Sequence, residues 1–320
     1  MIAALATVLA GCSNDDENVV DNGPVAAQIS AGVNAVTRAQ DATWEADAIG
    51  VMVTGTTGSS GMQSLYRNVK YKTTAETSGA ANFTAEGSGI FFQDATETVT
   101  FAAYAPYQTS PAANALPGAD GVIHGSTDIQ DNRETQKAFD FIYASGATAS
   151  RTNPEIQFAK KDDSHDYSFT HKMTRLVIIV KTSADYGFTA AQVTEGIYAL
   201  TGLKHVGEFN VTTGEAKAAT GASAVDNWSL SEKSLKTADE TTQCTFTSIL
   251  YPQTLAKALT FTATIDGKTY TNSTDINPAL TTGTSYEYTI TVKKTGLTVS
   301  GCTITDWSKV TGVGGDATMQ

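Results

Sequence analysis

The run Leu259-Thr260-Phe261-Thr262-Ala263-Thr264-Ile265 alternates apolar and hydroxyl side chains one for one, and Asp266-Gly267 follows at once. A period of two puts Leu259, Phe261, Ala263 and Ile265 on one face of an extended chain and the threonines on the other. Asp-Gly supplies the two positive-φ residues of a tight turn, so "LTFTATIDGKTYT" predicts a β-hairpin with one buried face. The same period recurs at Tyr286, Tyr288, Ile290 and Val292, and at Val99, Phe101 and Ala103 until Pro106 stops the strand. In "VAAQISAGVNAV" it runs through Ala27, Ile29, Ala31, Val33 and Ala35. Helical periodicity is weak, and "TAAQVTEGIYALTG" (189–202) holds one or two turns at most. Short strands with turn signals every 8–12 residues or about that predict an all-β chain built of β-sandwiches.

The 320 residues allow one or two domains, with two favoured. The polar residues 160–166 in "FAKKDDSHDYSF" separate two strand-rich halves, and "SFTHKMTRLVIIVK" then opens a strong strand. The predicted division is an N-terminal domain over 24–162 and a C-terminal domain over 163–320.

The 41% hydrophobic content is enough to build a core, while only 17% of residues are charged, against about 25% in an average soluble domain. Net charge is −12, from 21 basic and 33 acidic residues, which makes nucleic acid a poor partner because phosphates need basic patches. No apolar run after residue 12 reaches the length of a membrane-spanning helix. No G-x-S-x-G, H-E-x-x-H, P-loop or dinucleotide fingerprint occurs, so no enzyme class is indicated and no cofactor is expected. The Gly-rich "GTTGSSG" (55–61) lacks the Lys-Ser/Thr ending of a phosphate loop and reads as a turn. His124, His165, His171 and His205 show no ligand spacing, and His171 beside Phe169 reads as structural. "KDDSHD" (161–166) could hold a cation but lacks the EF-hand spacing and Gly, so it reads as a solvated linker and no metal is expected.

Cys12, Cys244 and Cys302 are too few for a disulfide framework. Residues 2–11, "IAALATVLAG", form a short apolar segment ending in small residues, and Leu9-Ala10-Gly11-Cys12 matches the bacterial lipobox. Residues 1–12 are therefore expected to be a lipoprotein signal peptide, with Cys12 as the acylated thiol. Two or more acyl chains, at about 0.8 kcal/mol per buried CH₂, would give stable anchoring. A Lys/Arg n-region is missing before the apolar segment, which suggests a start a few residues upstream or a trimmed chain. Residues 13–23 are polar and acidic and read as a tether. "SNDDE" resembles the export signal of surface-exposed Bacteroidetes lipoproteins, which implies the outer membrane as location. With Cys12 used covalently, Cys244 and Cys302 could pair or be two small buried hydrophobes.

Seven stretches in order resemble the Bacteroidetes fimbrillin family, the type V pilins and their fimbrillin-like relatives. They are "TRAQDATWEADAIGVMV" (37–53), "FAAYAPY" (101–107), "FDFIYASG" (139–146), "FTHKMTRLVIIV" (169–180), "LYPQTL" (250–255), "LTTGTSYEYTITV" (280–292) and "CTITDW" (302–307). The resemblance implies two tandem transthyretin-like β-sandwich domains, export as a lipoprotein and assembly with other subunits into a surface fimbria. It also implies proteolytic maturation after Arg38, with Ala39 as the new N-terminus. The strand of Ala27, Ile29, Ala31, Val33 and Ala35 would be lost, and a neighbour's strand would replace it. Ile29 and Val33 alone would be worth about 1.5–3 kcal/mol each if fully buried, and the vacated row of backbone groups invites refilling.

The candidate donor strand is 296–310, "GLTVSGCTITDWSKV", with Leu297, Val299, Cys302, Ile304 and Trp307. Its apolar phase flips at Gly301, which predicts a bulge or a crossing between sheets. Fifteen residues at about 3.3 Å each reach about 50 Å, enough to span a domain. The segment is equally readable as the chain's own last strand. A fimbrial tip or anchor is the nearest alternative, the anchor keeping Cys12 and escaping cleavage. A surface lipoprotein that binds host or bacterial glycans without polymerising is the other, with Trp44, Trp228 and Trp307 available to stack on sugars or to pack in the core.

Overall fold

The computed structural model describes residues 23–31, 43–44, 48–73, 77–78, 81–182, 185, 187–239, 243–272 and 275–307. The chain is all-β, with a few short helices, and its described residues divide among three apolar cores.

The first half contains β1 (Gln28–Ala31), β2 (Ala48–Thr56), β3 (Val69–Lys72), β4 (Ala81–Ala85), β5 (Thr98–Ala105), β6 (Val122–Ser126), α1 (Arg133–Phe139), β7 (Ile142–Ser150), β8 (Glu155–Phe158) and β9 (Thr170–His171). Eight of these strands form one sheet in the order β8-β1-β4-β3-β2-β5-β7-β9. The sheet bends back on itself, so inward side chains from nearly all of its strands share one core, including Ile29, Val51, Phe83, Phe101, Ile142 and Phe158. Val99, Phe101 and Ala103 of β5 point into it as their alternation predicts.

The second half contains β10 (Thr174–Lys181), α2 (Ala190–Glu195), β11 (Ile197–Thr201), β12 (Val206–Asn210), β13 (Glu215–Ala218), β14 (Trp228–Ser229), β15 (Leu235–Asp239), β16 (Gln243–Leu250), β17 (Thr260–Ile265), β18 (Lys268–Thr271), β19 (Thr284–Lys293) and β20 (Gly296–Asp306). A five-stranded sheet, β15-β16-β10-β19-β20, faces a four-stranded sheet, β14-β11-β17-β18, across the second core. That is a β-sandwich. The β17–β18 hairpin turns at Asp266 and Gly267 with φ of 52° and 71°, the conformation that an Asp-Gly turn provides. Helix α2 is a turn and a half, capped at Thr189 and Gln192, before the chain becomes strand again.

"SFTHKMTRLVIIVK" is two strands rather than one. Phe169 packs in the first core and β9 pairs with β7, whereas β10 is a central strand of the second half. The chain also crosses in the other direction. β6 pairs with β12, making a small sheet β6-β12-β13, and the amides of Gln130 and Gln136 bond the backbone of β16 at Ile249 and Thr247. Between the halves lies a third core of Met52, Ala102, Tyr104, Phe141, Tyr143, Met173, Phe209, Val211, Ile249, Tyr251 and Trp307.

Cys244 on β16 is buried, Cys302 on β20 is half-buried, and both thiols are free. Strands β10 and β19 lie between them, so their backbones are about three strand spacings, or ~14 Å, apart, beyond disulfide reach.

Candidate functional site: the first strand and the last

Strand β1 lies inside its sheet. It runs parallel to β8, with Ile29 beside Ile156 and Ala31 beside Phe158, and antiparallel to β4, with Ile29 beside Phe83 and Ala31 beside Ala81. Ile29 and Ala31 are buried, and Ala27 packs on the same core half-exposed. Upstream, the backbone N–H groups of Ala27 and Gln28 donate to the carbonyls of Ile90 and Pro154, each at 2.9 Å. Arg151 reaches back to the Gly23 carbonyl at 2.6 Å. Val25–Ala26 pairs with Phe91–Phe92. Each contact is made to backbone or to a core side chain from a different part of the first half.

The other face of β1 is open. Gln28, Ser30, Asn82, Thr84, Glu155 and Gln157 line a groove of about 710 Å³ along it. The strand therefore lies with apolar side chains beneath it, a hydrogen-bonded edge on either side and solvent above. Removing it would leave two unpaired edges, on β8 and β4, and uncover Phe83, Ile156 and Phe158. Val33, Ala35, Arg38, Ala39 and Cys12 lie outside the described residues.

Strand β20 pairs antiparallel with β19 in the chain's own sheet and is the edge of that sheet. Leu297, Val299 and Cys302 pack half-buried on the second core, whereas Ile304 is 63% exposed. The phase flip at Gly301 is a β-bulge: Cys302 opposes Tyr288 and Val299 opposes Ile290, so Ser300 and Gly301 together face Thr289. After the exposed end of β20 comes Trp307, fully buried in the third core. Its ring stacks on His171 at 4.0 Å with planes 12° apart, and the Arg175 guanidinium lies 5.4 Å from its centroid. His171 is held by Asp140, Nδ1 to Oδ1 2.7 Å, both side chains buried, which makes it structural as its place beside Phe169 suggests. Of the seat residues only His171 was singled out by sequence, as structural, and the seat itself was not legible, because Asp140, His171 and Arg175 come together from α1, β9 and β10 only in the fold.

The tryptophans named as sugar-stacking candidates are placed otherwise. Trp228 and Trp307 are buried, and the Trp228 indole N–H donates to the Asp128 carbonyl at 2.9 Å, so neither ring face is available to a glycan. The Trp44 side chain lies outside the described residues. "KDDSHD" folds as a turn in which His165 bonds Asp162 at 2.8 Å, and among the described residues no three potential metal-ligating side chains converge. Among these residues, too, no helix is long and apolar enough to cross a membrane.

Residues 37–307 match the family model described as fimbrillin-like. A Bacteroides uniformis protein assigned as fimbrium subunit Fim1C is 32% identical to the chain over 324 residues, covering 98% of this chain and 95% of the relative. The crystal structure of a protein assigned to cell adhesion from Bacteroides ovatus superposes with TM-score 0.65 at 29% identity, covering 89% of this chain and 96% of that one. A second protein assigned to cell adhesion, from Bacteroides uniformis, gives 0.65 at 25% identity, covering 90% and 100%.

Proposed function

Since the chain belongs to the fimbrillin-like family, which is a fimbrial structural family and not an enzyme family, we propose that it is a structural subunit of a cell-surface fimbria that assembles by exchanging its first strand. Cys12 is the lipid attachment point that carries the precursor to the outer membrane. Cleavage after Arg38 releases everything up to and including β1, and Ala39 becomes the N-terminus. A strand from another subunit fills the vacated slot, and the candidate for that strand is the segment holding Leu297, Val299, Cys302, Ile304 and Trp307. Partners are other fimbrial subunits.

One observation carries this reading: β1 is an interior strand, hydrogen-bonded on both sides and covering a core, yet it precedes Arg38 in the sequence, so the proposed cut would remove it. An edge strand could be lost with little consequence. An interior one leaves a gap that only another strand can close, and the open groove above gives an incoming strand access. The outer edge of β20, unpaired among the described residues, and its exposed Ile304 suit a strand that pairs elsewhere.

The test is to treat the purified full chain with an arginine-specific protease, sequence the new N-terminus and run unboiled samples on SDS gels. A new N-terminus at Ala39 together with SDS-resistant ladders is expected, and Arg38→Ala should abolish both. A chain that stays whole, or one cut at Arg38 that remains monomeric, would overturn the proposal.

A further inference from the structure

The burial of β20 is concentrated at its end. Along Gly296–Asp306 no side chain is fully buried: Leu297, Val299 and Cys302 are half-covered, and Thr298, Ser300, Thr303, Ile304, Thr305 and Asp306 face solvent. Among the described residues the strand is hydrogen-bonded on one side only, and a bulge interrupts that ladder at Ser300–Gly301. Trp307, the next residue, has no exposed surface. Its backbone N–H donates to Gly283 at 2.7 Å, and its ring enters the seam between the two halves.

The seat is assembled from both halves. His171, on β9 of the first sheet, supplies the stacking face, and Asp140 at the end of α1 fixes that ring. Arg175, on β10 of the second sheet, supplies the cation–π contact and is itself held by Ser285 through Nε at 2.8 Å. Among the described residues the indole N–H, though buried, has no hydrogen-bond partner. The ring is thus held by packing, stacking and cation–π attraction, and among the described residues no side-chain hydrogen bond ties it to the seat.

We propose that Trp307 is a latch: its seating in the seam holds β20 on its own sheet, and β20 can detach from β19 only when the ring leaves. On the strand-exchange reading, on which this consequence rests, unseating Trp307 is the step that frees β20 for a neighbour's slot. A latched precursor then keeps its donor strand folded away.

Hydrogen–deuterium exchange on the full chain tests the latch in the monomer. Trp307→Ala is expected to make the amides of β20 exchange at least roughly ten times faster, with those of β10 and β16 unchanged, and Trp307→Phe to restore most of the protection. Should Trp307→Ala not fold, Trp307→Leu against Trp307→Phe decides by the same criterion, since leucine keeps apolar volume but loses both ring interactions. Unchanged β20 exchange would overturn the latch. So would equal acceleration of β10 and β16, which would make Trp307 an ordinary core residue. The same variants, cut with the arginine-specific protease, separate the two ideas. Faster ladders in the unlatched variants support both. A β20-specific exchange change with no ladders in any variant, wild type included, overturns strand exchange and supports the latch as a property of the monomer.

Discussion

His205 is 2% exposed, its ring lies against Trp228 at 4.4 Å, and Thr127 Oγ1 sits 3.2 Å from Nδ1. Burial pushes its pKa down to about 4, against the weaker opposing pull of Asp128. The folded chain therefore keeps His205 neutral at neutral pH. An unfolded histidine takes up a proton near pH 6.5, so between about 6.5 and 4 the unfolded state binds a proton that the folded state refuses. Stability from this residue is full above that window and falls as pH drops through it, by up to about 3 kcal/mol. Chemical denaturation of wild type and His205→Gln at pH 7 and pH 4.5 checks this: the wild type should lose more stability than the variant. Equal losses would refute it. Glu86, held down to about 2 by Lys70 and Lys72, acts in the same direction lower on the scale: its contribution is present above the ordinary carboxylate value and is lost as pH falls from there towards 2. Nothing in the sequence around Lys204-His205-Val206 announces this, because the burial comes from Trp228, Thr127 and Asp128, which lie far away along the chain.

Among the elements, those coded by local chemistry were legible and those defined by distant partners were not. The β17–β18 hairpin follows from strict alternation plus Asp266-Gly267, and its inward set of Leu259, Phe261, Ala263 and Ile265 is buried as read. The bulge in β20 follows from the phase change at Gly301. Helix α1 was missed: its capping box uses Asn132 and Thr135, and seven residues are too few to show a period. The alternation of Ala27, Ile29 and Ala31 predicts a strand with one face buried, but not that its partners are β8, parallel, and β4, antiparallel, since parallel pairing joins segments remote in sequence. That interior position makes a prediction for the uncut chain. Ile29 packs between Ile156 and Phe83, so Ile29→Ala should cost about 2–4 kcal/mol by urea denaturation, while Gln28→Ala, on the exposed face, should stay within about 0.5. Equal effects at the two positions would mean that the slot is not well packed.

At the scale of the whole molecule the seam decides how the halves behave. Strand β5 buries both faces, with Phe101 and Ala103 in the first core and Ala102 and Tyr104 in the seam. The sequence "FAAYA" shows only that the stretch is small and apolar. Which residues meet the other half depends on a surface far along the chain, around Phe209 and Tyr251. The stacking of Phe141 on Phe209, 4.4 Å apart and 9° from parallel, is one such contact, and the Tyr143 hydroxyl donating to the Thr212 carbonyl at 2.9 Å is another. With β6 also paired to β12, the halves share apolar burial, backbone pairing and the Gln130 and Gln136 bonds. They should therefore unfold as one unit, although two domains joined by a linker ordinarily move and melt independently. Gly207 on β12 offers a way to perturb the seam alone. It lies against the face of Tyr251, and a Cβ added there would overlap the ring, so Gly207→Ala must push Tyr251 or β12 aside. The expected cost is about 1–3 kcal/mol, as for overpacking elsewhere. In the wild type, far-UV circular dichroism and tryptophan fluorescence should report one coincident thermal transition. In Gly207→Ala the transition should move down as a whole if the seam couples the halves tightly. Two separate transitions in the wild type would show that the third core is too weak to join them, and a Gly207→Ala chain as stable as wild type would show that the ring has room to move.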